Sequence, residues 1–398
     1  AGERRMKQSR WALLTAIVPA PGVLAGINDN LLSIVPELIP TMTTPQSPVY
    51  HGEGDVWTHT KMVLKELIIG EDYGRATPAD RAVLFAACLL HDIAKPSTTV
   101  IDPVDGRIRQ PGHSKRGSID ARALLWQMGA PFEVRERVAS VILHHQDPFF
   151  GIADQRGLNG EFRLIRMSWR TRMRDLIAVA RADIKGRIAA DIPRILDEIA
   201  VMEMAAEDLG CLDSPFAFPD PITRFAYFRR HGEISPRFAF FEDESPVVTF
   251  VCGLPGSGKD HWIGQQGGDQ TVVSFDDVRA DMAVDHGDAE GQVAQAAKEL
   301  ARVQLRQKKP FIWNATALQR SFRDPRIDLV RSYGAQVRIV HVEAGSEATW
   351  KRQNRERTNS VPDAYLTRAL QRWELPLGDE AHDVAYMVQG QLVSYLKH

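Results

Sequence analysis

Cysteine is scarce in this chain: Cys88, Cys211 and Cys252 stand far apart, without CxxC spacing. That excludes a disulfide frame, and the apolar runs around Cys88 and Cys252 mark those two as reduced core residues. An excess of one charge is missing too. With 49 basic and 51 acidic residues the formal net charge is −2, so no global basic field advertises nucleic acid, and any polynucleotide must be held by local patches. Long apolar runs are absent, none approaching the roughly 20 residues that cross a bilayer. The stretch Trp11–Val18 follows a basic start but breaks at Pro19-Ala-Pro21-Gly22, too short for a signal peptide. Internal repeats and low-complexity tracts are also lacking. These absences lead to the expectation of a soluble, cytoplasmic protein with no membrane partner. A length of 398 residues is too great for one ordinary core and suits two domains.

The two halves follow different periodicities. Up to about Gly210, the segments Val56–Ile69, Arg81–Asp92, Pro131–His144 and Leu176–Arg187 repeat apolar residues at three and four, which predicts helices. Residues 211–245 hold many prolines and aromatics (Pro215, Phe216, Phe218, Pro219, Pro221, Phe225) and read as a packed connector, because aromatics seek burial. From 246 to 398, β-branched runs at Val247–Cys252, Thr271–Phe275, Pro310–Asn314 and Gln336–Val342 alternate with helical stretches. That alternation predicts a parallel sheet with crossover helices. The expected fold class is therefore multidomain: an all-α domain over 1–210, a connector over 211–245, and an α/β domain over 246–398.

The strand Val247–Cys252 runs straight into Gly253-Leu-Pro255-Gly256-Ser257-Gly258-Lys259-Asp260. A strand, a GxxxxGK turn and then a helix make a phosphate-binding loop. Its glycines let backbone N–H groups turn inward, and its lysine meets the β- and γ-phosphates. The next residue is normally Ser or Thr, ligating Mg²⁺ through its hydroxyl, but here it is Asp260, whose carboxylate can hold the ion directly or through water. The second strand ends in Ser274-Phe-Asp276-Asp277-Val-Arg279, and strand C-termini line the ligand crevice of a parallel sheet. A kinase acting on an alcohol needs a carboxylate to accept the proton and a cation to orient the acceptor. Asp276 and Arg279 can serve, with Asp277 as helix cap. Asn314 ends the third strand, and Arg352 and Arg355 share one helix face further on.

In order along 246–398, GLPGSGKD, FDDVR, NAT and the arginine-bearing helix resemble the polynucleotide kinase family of phosphate-loop phosphotransferases. The resemblance implies ATP or another NTP with Mg²⁺, and transfer of the γ-phosphate to a 5′-hydroxyl end. It makes Lys259 the phosphate binder, Asp276 the general base, Arg279 the binder of the acceptor's 3′-phosphate, and Arg352 and Arg355 lid arginines.

In the first half His59, His91-Asp92 and Asp183 each fall on an apolar helix face. An inward aspartate is costly unless paired or metal-bound, and imidazole with carboxylate suits divalent transition metals. In this order the residues resemble the HD phosphohydrolase superfamily, and the entry His51-Gly-Glu-Gly-Asp-Val-Trp-Thr-His59 matches a subset found in RNA-processing enzymes. The resemblance implies one or two ions of Mn²⁺, Ni²⁺, Zn²⁺ or Fe²⁺. Members with additional histidines hold a second metal, which brings in His113 and one of His144 or His145. Family habit favours His144, helical phase from Val138, Val141 and Ile142 favours His145, and we assign His144. Lys95 lies four residues after His91 and reads as a phosphate grip if the helix continues that far. His51 is assigned to the loop, outside the ligand set.

An HD module followed by a polynucleotide kinase module resembles a bacterial family of bifunctional end-healing enzymes. That resemblance implies removal of 3′-phosphate, 2′-phosphate or 2′,3′-cyclic phosphate and phosphorylation of 5′-OH, on RNA or DNA strand ends, with a separate ligase as partner. The rival enzyme reading is an HD nucleotidase for a small signalling nucleotide fused to a small-molecule kinase. A nucleotide-responsive regulator is the reading from another class, and it needs a defective site.

Overall fold

The computed structural model describes residues 8–152, 159–242, 245–266, 270–284, 289–357 and 360–396. The chain divides into two compact units between Ala217 and Phe218.

The first unit is helical, apart from a short antiparallel pair, β1 (Val100–Ile101) and β2 (Ile108–Arg109). Its helices start where the sequence supplies caps. Asp55 accepts from Thr58 N–H ahead of the helix Val56–Ile69, and Thr77 accepts from Asp80 N–H ahead of Pro78–Leu90. Pro78 occupies the first turn of the second helix, where its missing N–H costs nothing. One core collects Val63, Leu64 and Leu67, Phe85 and Leu89, Leu124 and Leu125, Val138 and Ile142, and Val179. The residues before 45 belong to it as well: Leu14, Leu31, Val35 and Leu38 are buried in the same cluster.

Gly186 sets how closely two of these helices meet. A Cβ there would lie 2.7 Å from the backbone nitrogen of Val63 and 2.7 Å from its Cγ2. Only a hydrogen at that position lets the end of the helix Met173–Lys185 reach the middle of Val56–Ile69, and this contact carries Asp183 to His59.

The second unit holds a six-stranded sheet of β3 (Val247–Cys252), β4 (Thr271–Ser274), β5 (Phe311–Asn314), β6 (Gln336–Glu343), β7 (Asp383–Val388) and β8 (Gln391–Leu396), in the order β4-β5-β3-β6-β7-β8. The first five are parallel and β8 is an antiparallel edge. The fold class is thus as expected, a helical region followed by an α/β region, with a sheet that is mostly parallel. The hairpin β7–β8 escaped the sequence reading. It turns at Gln389-Gly390, both with positive φ (50° and 79°), the backbone of a two-residue hairpin turn.

Residues 211–245 do not form a separate linker body. Cys211, Leu212 and Phe216 are buried in the first unit, where Trp169 Nε1 donates to Phe216 O at 3.0 Å. Phe225 stacks on His382 in the second unit with ring centroids 4.1 Å apart. All three cysteines are buried free thiols.

Gly186→Ala should cost the first unit about 1–3 kcal/mol through overpacking, measured by urea unfolding of the variant against the parent chain.

Candidate metal centre and phosphate-binding site

His59, His91, Asp92 and Asp183 come together as expected. His59 Nε2 lies 3.1 Å from Asp183 Oδ1, 3.4 Å from His91 Nε2 and 3.8 Å from Asp92 Oδ2. His113 and His145 complete the group, their Nε2 atoms 3.4 Å apart and His113 Nε2 3.5 Å from Asp92 Oδ1. Asp92 therefore faces both halves, one oxygen toward His59 and His91, the other toward His113.

The hydrogen bonds around the cluster fix its polarity. His91 Nδ1 donates to Cys88 O (2.7 Å), His113 Nδ1 to Gln110 O (2.8 Å) and His145 Nδ1 to Ile142 O (2.8 Å), while His59 Nδ1 faces a Glu53 oxygen at 2.9 Å. Oxygen acceptors on all four Nδ1 atoms leave lone pairs on the Nε2 atoms of the neutral rings; at His91 burial opposes the charged form, and Asp92, 3.0 Å from its Nε2, overcomes this and raises its pKa. Those lone pairs converge on each other and on two buried carboxylates. Neither Asp92 oxygen has a well-formed hydrogen bond of its own. Such a set fits cations, and outward Nδ1–H bonds are what metal-ligating histidines use to hold their rings. Two triads offer ligand atoms within 4.8 Å of one another: His59, His91 and Asp183, and Asp92, His113 and His145.

The assignment of His144 is corrected. The helix Phe132–His144 buries Val138, Val141 and Ile142, and His145 at its end continues that face into the cluster. His144 lies about 100° further round, and its Nδ1 pairs with Asp147 Oδ2 at 2.7 Å. Lys95 does reach the site, though not along a continuous helix. The helix stops at Leu90, a turn follows, and a new short helix begins at Lys95. From there Lys95 Nζ contacts Asp92 Oδ2 (2.8 Å) and Gln46 Oε1 (2.6 Å).

Sequence reasoning missed several neighbours. Glu53 has its side chain only 1% exposed and touches both His51 and His59. Burial would raise its pKa, and hydrogen bonds from the two histidines overcome this and hold it below the usual carboxylate range. His51 lies against the site and not in an open loop, its pKa pulled down to about 4, chiefly by burial. Arg187 forks onto Asp183 at 3.0 Å and covers the Phe149 ring at 4.7 Å. Burial would raise Asp183, and Arg187 with His59 and His91 holds it well below its ordinary value instead. The closely spaced imidazole and carboxylate of His51-Gly-Glu53 were the available signal for the first two.

In the second unit the loop from Gly253 to Lys259 joins β3 to the helix Lys259–Gln265, with positive φ at Gly253, Gly256 and Gly258. Pro255 and Ser257 are buried in the turn. Lys259 Nζ donates to Gly253 O (3.2 Å) and Leu254 O (3.0 Å). Desolvation brings its pKa down to about 8, opposed by Asp260 and assisted by Arg357.

Asp260 Oδ1 accepts from Asn314 Nδ2 at 2.8 Å, and Asn314 Oδ1 is buried without a partner. Oxygen donors from these two residues beside the loop suit Mg²⁺. Asp276 is ion-paired with Arg279 at 2.6 Å, and Arg279 also meets Glu290 at 3.1 Å. Ser274, not Asp277, caps that helix, accepting from the N–H groups of Asp276 and Asp277.

The helix Glu347–Glu356 packs on the loop through Trp350, whose Nε1 donates to Pro255 O at 2.6 Å, and through Asn354, which lies over Gly256. Arg352 and Arg355 fall on its exposed side. Arg357, three residues after Asn354, is the arginine whose charge acts on Lys259.

A model of the HD domain family matches residues 56–183, and one of an AAA domain family matches 248–376. The chain thus carries an HD-domain match in its first unit and an AAA-domain match over the phosphate loop and sheet of its second. A multifunctional CCA protein of Halorhodospira halophila is 35% identical over 29% of this chain and 25% of its own length. A CC-adding tRNA nucleotidyltransferase of Thermus thermophilus is 33% identical over 36% of this chain and 31% of its own. A multifunctional CCA protein of Cupriavidus metallidurans is 29% identical, over 46% and 42% respectively. The chain thus spans between a quarter and a half of these curated relatives. Among solved structures, a sugar kinase from Janibacter sp. HTCC2649 is similar at 19% identity and a TM-score of 0.29, over 37% of this chain and 87% of that one. A gluconokinase from Sinorhizobium meliloti 1021 has 19% identity and a TM-score of 0.27. No helix among the described residues is long and apolar enough to cross a membrane.

His145→Ala should lower bound manganese by elemental analysis, whereas His144→Ala should leave it at the parent level; the opposite order would restore His144 to the ligand set. For Lys259, the sign follows from a depressed pKa. Above about pH 8 the free lysine is neutral, and bound phosphate recharges it. Nucleotide binding there should take up a proton, seen in calorimetry as an enthalpy that depends on the buffer's ionisation heat.

Proposed function

We propose that this chain heals broken nucleic-acid ends. Its HD unit removes 3′-phosphate, 2′-phosphate or 2′,3′-cyclic phosphate, and its P-loop unit phosphorylates 5′-hydroxyl ends with ATP. The observation that carries the first half is the convergence of four Nε2 lone pairs and two carboxylates beside Lys95. Divalent ions held there by His59, His91 and Asp183, and by Asp92, His113 and His145, would polarise a phosphate and supply hydroxide. The chain's own residues do the rest. Lys95 stands where a phosphate oxygen bound at the cluster can meet its ammonium group, and Gln46 steadies it from behind. Arg187 keeps Asp183 ionised and turned inward.

In the second unit the loop backbone and Lys259 hold the β- and γ-phosphates, with Asp260 and Asn314 placed for Mg²⁺. Asp276 accepts the proton of the attacking hydroxyl, and its pairing with Arg279 sets both side chains at the end of β4. Arg279 then meets the phosphate neighbouring that hydroxyl. We assign the inward lid position to Arg357, and Arg352 and Arg355 to the outer face of the helix. A polynucleotide is favoured over a free signalling nucleotide because a relative that matches part of this chain is named for tRNA. Sealing of the healed ends falls to a separate ligase.

The test incubates the protein with radiolabelled ATP, Mg²⁺ or Mn²⁺, and a 5′-OH oligonucleotide bearing a 3′-phosphate, as RNA and as DNA. Label at the 5′ end with phosphate lost from the 3′ end is the expected result. Asp276→Ala should abolish labelling by at least about 100-fold and spare the 3′ reaction, and Asp92→Ala should do the reverse. Activity on neither end across metals and strands would favour the small-nucleotide reading.

A further inference from the structure

The phosphate loop of the second unit departs from pattern at one position, and a second departure lies beside it. After the loop lysine a serine or threonine normally meets the ion through a neutral hydroxyl, while an aspartate at a nearby strand end supplies the negative ligand. Here the residue after Lys259 is Asp260, and β5 ends in Asn314. Backbone register fixes where that amide stands. Val251 of β3 and Ser274 of β4 both pair with Asn314. It therefore lies between the strand that feeds the loop and the strand that leads to Asp276.

The two departing side chains meet. Asn314 Nδ2 donates to Asp260 Oδ1 at 2.8 Å, and Asn314 Oδ1 is buried without a partner. Among the described residues no lysine or arginine pairs with Asp260, and Lys259 Nζ is engaged by Gly253 O and Leu254 O. A carboxylate in the first turn of a helix also gains from the helix dipole. That gain concerns Asp260 alone. It gives no reason for an amide to reach it from another strand while its own oxygen is kept from every donor. An amide oxygen and a carboxylate side by side are hard donors that suit a divalent cation.

We infer that Asp260 and Asn314 have exchanged the two ligand chemistries, so that the loop admits the metal–nucleotide complex and turns away the free nucleotide. The set still offers one carboxylate and one neutral oxygen, and only the place of the charge differs. That place decides the selectivity. Asp260 is the immediate neighbour of the lysine that meets the β- and γ-phosphates, so its charge repels them when no ion lies between. With an ion between, the same charge strengthens binding. The inference rests on the loop being a nucleotide site, the kinase half of the proposed function.

The test measures the affinity of the full chain for a fluorescent ATP analogue, in EDTA and in rising Mg²⁺. Reading the ion through the nucleotide keeps ions at the histidine cluster out of the result, and loss of binding in Lys259→Ala locates it at the loop. Mg²⁺ should tighten binding to the parent chain by about 10- to 100-fold. Asp260→Ser should bind in EDTA at least as tightly as the parent and lose most of the Mg²⁺ response. Asn314→Asp, with two carboxylates, should bind more weakly in EDTA and keep the response. Combining the two substitutions should restore the response, a coupling that a double-mutant cycle isolates. A response that persists in Asp260→Ser, or a combined variant that binds nucleotide in EDTA without regaining it, overturns the inference while the nucleotide site stands. So does a parent chain that binds equally well with and without Mg²⁺. If the combined variant binds nothing, the two single variants decide. A parent chain that binds no nucleotide under either condition, or binding that survives Lys259→Ala, overturns both.

Discussion

Six buried groups in the first unit bring four ring nitrogens and two carboxylates into one space. Four imidazoles turn their Nδ1 toward oxygen acceptors and present lone pairs inward, and Asp92 and Asp183 add carboxylates to the same space. Lone pairs facing each other at 3.4 Å repel, and burial strengthens the repulsion because little water screens it. Lys95 and Arg187 are the nearby cations, and each contacts one carboxylate from the side. Divalent ions would relieve the remaining imbalance, and metal binding would then be coupled to the stability of this core. The helix contacts serve this arrangement: the missing Cβ of Gly186 admits Asp183, and that of Gly117, which would lie 3.3 Å from Ile142 Cγ2, brings the helix of His113 against the His91–Asp92 turn.

The second unit handles phosphate by other means. Asp276 has a side chain 66% exposed, and its ion pair with Arg279 lies at the surface. Such a pair contributes little to stability, at most about 1 kcal/mol, so its value is in orientation. Affinity for the proposed nucleotide would come from backbone N–H groups around the loop, which has positive φ at three glycines. Trp350 and Asn354 brace that loop from the helix above.

Much of this was legible in the residues, for physical reasons. Strong periodicity gave the helices of the first unit, β-branched runs gave the first four strands, and the phosphate loop announced itself by glycines between strand and helix. His59, His91, Asp92 and Asp183 were visible because a polar group on an apolar face has to be accounted for. Single-residue choices were harder. His144 and His145 differ by one step of helix, and the phase of Val138, Val141 and Ile142 was the better guide than family habit. Lys95 was reached through a turn that no local propensity reveals. Glu53 and His51 lie in a loop, where no period exists, and their roles depend on the distant backbone N–H of Ile188. The closing hairpin was hidden because Gln389 is an uncommon residue at positive φ.

Burial also bears on what each site can accept. The six residues of the first cluster are between 0% and 6% exposed, so a phosphate reaching them would have to shed most of its water and present its oxygens without bulk on every side. A terminal phosphate, attached to one sugar, meets that demand more easily than an internal one flanked by two. A cyclic phosphate, tied back on a single sugar, meets it equally. The carboxylate of Asp276 lies open at a strand end and imposes no such demand, which suits an acceptor that is the first hydroxyl of a long chain. On the end-healing proposal the two sites would differ in the way that two ends of one broken strand differ: one would select a compact phosphate by enclosing it, and the other would admit a polymer, with Arg279 setting its register.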